Sequence, residues 1–217
     1  MSAERSTVDP RQQTYTAVWE KRRLIAGLPR VDVALDAGAA NGEYIPYLLA
    51  RARRVVAVDL DPLRVAQLRA RYQGAANVTV VQATVDALPF ADGAFGLVWA
   101  SEIVEHLPTL EASLGELERV CAGRIVATLP APLSPYRYLD PTHRLDYSRH
   151  GLVRSLAARP GWSYQLEGLG LCLPQWLGLD GLRSRWLGSN RLRRWASWTL
   201  LISGSRALAA RPPVVIA

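Results

Sequence analysis

The stretch "SEIVEHLP" at 101–108 sets Glu102, Glu105 and His106 at i, i+3 and i+4, which on a helical turn is one face. Two carboxylates and an imidazole can hold a divalent metal, and the imidazole alone can serve as a general base. Further on, "DPTHRLDYSRHGL" offers His143 and His150, the latter expected to start a surface helix. A second stretch of chemical interest is "VALDAGAANGEY" at 33–44. Small and β-branched residues run into Asp36, and Gly38 and Gly42 bracket a tight loop. Such a loop before a helix suits the polar end of a nucleotide cofactor. A dinucleotide fingerprint needs glycine where this chain has Gly38, Ala40 and Glu43, which speaks against a nicotinamide cofactor. Asp59 in "VVAVDLD" follows the first glycine by about 20 residues, the place from which an acid takes two ribose hydroxyls.

These residues need a frame. Five β-branched or apolar runs recur: "VDVALD", "RVVAVD", "VTVVQA", "FGLVWAS" and "RIVATL". Helix-period segments lie between them. The pattern at 62–72 points Leu63, Val65, Leu68 and Tyr72 inward, and that at 108–121 points Leu110, Leu114, Leu117 and Val120 inward. Pro62 and Pro108 sit at the helix starts, where a missing amide costs nothing. "ADGAF" at 91–95 is a turn. Strands alternating with helices predict parallel βαβ units in a doubly wound α/β sheet, with ligands beyond the carboxyl ends of the strands. The motifs above fall there.

The ordered set resembles the class I S-adenosylmethionine-dependent methyltransferases, whose first motif usually reads D-x-G-x-G-x-G. Here it is Asp36-Ala-Gly38-Ala-Ala40-Asn-Gly42, with Ala40 for the middle glycine. The likeness continues through "VDLDPLRV", "ALPFADGAFGLVWASEIVEHLP" and "LERVCAGRIVATLP", over roughly residues 30–167. It implies a Rossmann-like seven-stranded sheet with its last strand antiparallel, and S-adenosyl-L-methionine as cofactor. It also implies a binding set of Asp36, Gly38, Ala40, Gly42, Asp59, Leu60, Thr84, Val85 and Ser101. Thr84 stands where the family normally supplies an Asp to the adenine amino group. A neutral hydroxyl accepts that bond more weakly.

The stretches at 101–108 and 140–152 are similar to those of ubiquinone-pathway O-methyltransferases and small-RNA 2′-O-methyltransferases. That similarity implies Mg²⁺ or Mn²⁺ held by Glu102, Glu105, His106 and His143, with His106 and His143 as catalytic residues. Strings like this one also occur in small-molecule methyltransferases without a metal, and there His106 is a general base or a buried, hydrogen-bonding histidine. The expected reaction is methyl transfer to a hydroxyl of a small-molecule, sugar or lipid-linked acceptor. The alternative is a non-catalytic protein of the same fold that docks to a membrane or a partner.

Bulk properties set bounds. With 49% hydrophobic and 21% charged residues the 217-residue chain is globular. The polar start "MSAERSTVDPRQQ" carries no apolar leader, so a cytoplasmic protein is expected. Cys121 and Cys172 have no metal or disulfide spacing and are read as reduced, buried thiols. The net charge of +7 is uneven: residues 1–167 balance to +1, whereas 168–217 hold 7 Arg and one acid, Asp180.

A sixth strand is expected near 163–171 and the last strand at 213–217. Between them Trp176, Trp186, Trp195 and Trp198 interleave with Arg183, Arg185, Arg191, Arg193, Arg194 and Arg206, and "SNRLRRWASWTLLISG" reads as a capped helix ended by Gly204. That segment suits a helical insert, a peripheral contact with an anionic membrane through 172–206, or, less well, nucleic acid. The chain thus divides into an N-terminal helical lid (1–30), a core (31–171), an Arg/Trp-rich helical insert (172–211) and a last strand (212–217). The lid is expected at 12–29, with Tyr15, Val18, Trp19 and Leu24 at helical spacing.

Overall fold

The computed structural model describes residues 18–132, 134, 136–169 and 199–206. The elements are α1 (Val18–Ala26), β1 (Val31–Ala37), α2 (Ile45–Leu49), β2 (Ala52–Asp59), α3 (Pro62–Arg71), β3 (Val78–Gln82) and β4 (Phe95–Ser101). A 3₁₀ turn (Val104–His106) follows, then α4 (Leu110–Val120), β5 (Cys121–Pro130), α5 (Tyr136–Leu139), α6 (Arg149–Ala157), β6 (Trp162–Leu169) and β7 (Thr199–Arg206).

The seven strands form one sheet in the order β3-β2-β1-β4-β5-β7-β6. All neighbours from β3 to β5 pair in parallel, and β7 runs antiparallel to both β5 and β6. Both faces are covered, so the central strands are near-continuous apolar runs. Ala34 and Leu35, adjacent in β1, belong to opposite cores: Ala34 packs with Val55, Leu97 and Trp99, and Leu35 with Val98, Leu114 and Ile125. The strand order reverses between β1 and β4, which opens a crevice at their carboxyl ends.

Helix starts follow the sequence signals with small offsets. Asp61 caps α3 by accepting from the Leu63 amide, with Pro62 first in the helix. Thr109 caps α4 by accepting from Ala112, so Pro108 lies just outside that helix. Val65 and Leu68 are buried as expected, but Leu63 is 73% exposed. It sits in the first turn beside the mouth of the crevice, where none of the described elements covers it. His150 lies exposed at the start of α6, as expected. Cys121 is buried and free, and burial pushes its thiol up to about 11, which keeps it inert. Cys172 lies outside the described residues.

The C-terminal reading needs correction. Residues 199–206 are not the end of a helix but β7, the antiparallel strand, and they do not belong to an insert reaching 211. Leu200, Leu201 and Ile202 are all buried because β7 lies between two strands with both faces covered. An unbroken apolar run of this kind matches a broad-faced helix as well as a central strand. Gly204 does not stop a helix. A Cβ there would fall 2.1 Å from the Tyr164 ring on β6, so glycine lets that ring cross the strand. The expected last strand at 213–217 and residues 170–198 lie outside the described residues. Among the described residues no helix is long and apolar enough to cross a membrane.

Candidate active site

The loop after β1 turns sharply because three of its residues adopt positive φ: Gly38 (76°), Ala40 (47°) and Gly42 (71°). A Cβ on Gly38 would come 2.8 Å from Ile103 Cγ1, and one on Gly42 would come 2.6 Å from Leu68 Cδ2. Ala40 occupies a left-handed conformation at a cost of roughly 1 kcal/mol. Its amide donates to Asp59 Oδ2 at 2.7 Å, which holds it there. Asp59 Oδ1 accepts from the Asp61 amide at 2.9 Å, so one buried carboxylate at the end of β2 ties two loops together. Asp36 is buried beside it. Burial first, and the Asp59 charge second, push its carboxyl up to about 7.

The opposite wall follows β4. Glu102 has φ of 51°, a strained backbone for a side chain of this size. Its carboxylate accepts from Lys21 Nζ at 2.7 Å and from Thr128 Oγ1 at 2.9 Å. Lys21 also donates to Ser101 Oγ at 3.1 Å and is fully buried, reaching in from α1. Next comes the 3₁₀ turn with Glu105 and His106. The Glu105 carbonyl accepts from the amides of Arg144 (2.8 Å) and Leu145 (3.0 Å), so the segment at 140–145 is strapped to this turn.

That strap defines the protonation of His106. Its Nδ1 faces Thr142 Oγ1 at 3.0 Å and the Thr142 carbonyl at 3.4 Å. The Thr142 hydroxyl donates its own proton to Asp140 Oδ1 at 2.5 Å. Both partners of Nδ1 therefore accept, Nδ1 carries the hydrogen, and Nε2 keeps its lone pair. Burial, then the neighbouring His143, lowers His106 below the ordinary imidazole value, so the ring is neutral at pH 7. Asp140, to which Thr142 donates, is held below the usual carboxylate range and stays charged.

A cavity of about 1150 Å³ joins the two walls, slightly above the ~300–1,000 Å³ common for a single ligand. Of the expected cofactor residues, Gly38, Ala40, Asp59, Leu60, Thr84, Val85 and Ser101 line it, while Asp36 and Gly42 lie behind the wall. His106 and Glu102 line it too. His143 does not: its ring packs edge-on against His106 with centroids 4.9 Å apart, and its Nδ1 donates to the Arg137 carbonyl at 2.9 Å. The Thr84 hydroxyl donates to Asp86, an acid on the same wall two residues beyond the expected place.

The four expected metal ligands are not assembled as a set. Glu105, His106 and His143 bring donor atoms within 4.8 Å of one another, but Glu102 is committed to Lys21 and Thr128. Glu105 is buried, and that burial, followed by the Glu102 charge, pushes its carboxyl well above the usual range. Two imidazoles and a single carboxyl do not fit Mg²⁺, which requires several oxygen ligands. The expectation of Mg²⁺ at Glu102, Glu105, His106 and His143 is therefore not supported.

Sequence reasoning missed Lys21, Asp86, Asp140, Thr142 and Arg144, all on the cavity wall. Lys21 left a signal. It is the only lysine among 26 Lys and Arg residues, and it shares an apolar helix face with Val18 and Ile25. The expected lid is present in part: Val18 and Lys21 of α1 line the cavity and Leu24 is half-buried. Tyr15 and the side chain of Trp19 lie outside the described residues.

Residues 35–124 match the model of a methyltransferase domain. A Mycobacterium tuberculosis protein named "Probable S-adenosylmethionine-dependent methyltransferase" is 33% identical over 98 residues, covering 45% of this chain and 35% of the relative. A malonyl-[acyl-carrier protein] O-methyltransferase of Pectobacterium atrosepticum is 28% identical over 184 residues, covering 78% and 72%. The chain thus spans about a third of the length of the mycobacterial relative it matches. Among solved structures, YcgJ of Bacillus subtilis superposes with a TM-score of 0.64 at 20% identity, covering 89% of this chain and 99% of that one. An S-adenosylmethionine-dependent methyltransferase from Mesorhizobium loti gives 0.64 at 18%, covering 88% and 98%. These structural likenesses bear out the expected fold. With the matched domain at 35–124, the named relatives and the glycine loop on one crevice, the chain is similar to the class I S-adenosylmethionine-dependent methyltransferases.

Proposed function

We propose that the protein transfers a methyl group from S-adenosylmethionine to a hydroxyl oxygen of a small-molecule, sugar or lipid-linked acceptor. The observation that carries this reading is one cavity with a cofactor loop on one wall and a neutral, oriented imidazole on the other. Gly38 and Ala40 would admit the cofactor's polar end to the loop backbone, Asp59 would take the ribose, and Leu60, Thr84 and Val85 would line the adenine. When bound, S-adenosylmethionine supplies a methyl group on a sulfonium centre.

His106 then does the work a hydroxyl acceptor needs. Nε2 would take the hydroxyl proton as the acceptor oxygen displaces the sulfonium sulfur from the methyl carbon, leaving a neutral thioether, and Nδ1–H would keep its bond to Thr142. The charged Asp140, reached through the Thr142 hydroxyl, stabilises the imidazolium that results. His143 packs behind the base and is a positioning residue. Three curated relatives are named malonyl-[acyl-carrier protein] O-methyltransferases, which supports an oxygen acceptor. The non-catalytic alternative is not favoured, since both walls of the cavity are furnished.

Radiolabelled methyl transfer to a panel of hydroxylated acceptors tests the reading. His106→Gln is expected to lower kcat by roughly 10²–10⁴-fold while cofactor affinity stays the same. An unchanged kcat would remove the base from the mechanism. The peripheral membrane contact, now confined to the Arg/Trp-rich stretch at 172–198, is likewise a proposal. Co-sedimentation with anionic liposomes tests it, and absence of binding would end it.

A further inference from the structure

Three lysine or arginine side chains line the cavity: Lys21, Arg64 and Arg144. Lys21 is neutralised by Glu102 at 2.7 Å, and Arg64 lies 3.7 Å from Asp61. Arg144 has no ion pair or side-chain hydrogen bond among the described residues. Asp140 accepts from the amide and hydroxyl of Thr142, and the buried Glu105 carboxyl makes no hydrogen bond to Arg144 among the described residues. The Arg144 backbone is nevertheless fixed, because its amide donates to the Glu105 carbonyl, one residue before His106. The Arg144 backbone is thus anchored to the turn that carries the base, and its side chain lines the same cavity with no partner among the described residues.

We infer that Arg144 is a specificity-determining residue that binds an oxyanion, carboxylate or phosphate, carried by the acceptor. This deepens the methyl-transfer reading and rests on it. The guanidinium fork matches the paired oxygens of either group. The cofactor's sulfonium is a cation and gives Arg144 nothing to bind. Its carboxylate is expected at the far wall, by the loop amides. An anion held by Arg144 would place a neighbouring hydroxyl of the same molecule toward His106.

Calorimetry on the full chain tests the inference, with and without saturating S-adenosylhomocysteine. The probes are inorganic phosphate, malonate and, as a neutral comparator, glycerol. The wild type is expected to bind at least one of the two anions and not glycerol, and the preferred probe tells phosphate from carboxylate recognition. Arg144→Gln should weaken that binding by about tenfold or more, leaving S-adenosylhomocysteine affinity unchanged, and Arg64→Gln should leave the anion binding intact. Equal anion binding by the Arg144 variant, or none by the wild type, would overturn the inference. So would a parallel loss of S-adenosylhomocysteine affinity, which would assign Arg144 to the cofactor. A wild type that binds anions but no S-adenosylhomocysteine would instead refute the methyl-transfer reading on which the inference rests.

Discussion

The two walls of the cavity are built in different ways. The cofactor wall is a product of backbone: a loop with three positive φ angles, whose Ala40 amide donates to the carboxylate at the end of the next strand, which also holds the Asp61 amide. The acceptor wall is a product of side chains that meet from distant parts of the chain. Lys21 reaches Glu102 across 81 residues, and Thr142 reaches His106 across 36. A wall made of backbone accepts a side chain only where its turn leaves room, as at Ala40 and not at Gly38 or Gly42, where a Cβ would meet Ile103 or Leu68. A wall made of paired side chains should fail when one partner is removed.

The largest test of that contrast is Lys21→Met. It leaves the Glu102 carboxylate largely buried and without its counter-charge, and about 3 kcal/mol of stability should be lost, measured by urea unfolding. Adding Glu102→Gln should restore most of that loss. A single variant as stable as the wild type would show that the pair does not hold the wall.

A smaller effect is expected from Thr142→Val, which cuts the link between His106 and Asp140. The rate should fall by about tenfold. Its pH dependence carries a sign. In the wild type His106 is already lowered, so the acid limb of the rate profile lies below the ordinary imidazole value of 6.5. The Thr142 carbonyl and the Asp140 charge, which raise His106, both survive the substitution, and only the hydroxyl that accepts from Nδ1 is lost, so that limb shifts slightly and toward lower pH. A shift upward would contradict the hydrogen-bond assignment.

The smallest effect belongs to the backbone wall. Ala40→Gly relieves a left-handed alanine and should stabilise the protein by about 1 kcal/mol, read as a rise in the urea midpoint. A loss of stability would mean that the Ala40 methyl makes contacts worth more than the strain.

The same contrast explains what the chain disclosed before its structure. The loop wall was legible because its positions are close in sequence: Gly38 and Ala40 in one loop, with Asp36 and Gly42 behind them, and Asp59 at the next strand end. The five parallel strands were legible from apolar runs ended by turn residues. On the acceptor wall the local triplet of Glu102, Glu105 and His106 was visible, but not how it divides. Glu102 turns to Lys21, Glu105 is buried, and only His106 faces Thr142. Periodicity on one turn cannot say which distant element meets each side chain. Helix and buried strand share an apolar pattern, so β7 was misplaced until its pairing with β5 and β6 was seen.

The central claim is that the loop at 36–42, tied to Asp59, holds S-adenosylmethionine. Calorimetric titration of the protein with S-adenosylmethionine, repeated with Asp59→Ala, tests it most directly. The account predicts binding by the wild type and a loss of at least about tenfold in the variant, which removes both the ribose acceptor and the anchor of Ala40. No binding by the wild type, or equal binding by the variant, would contradict it.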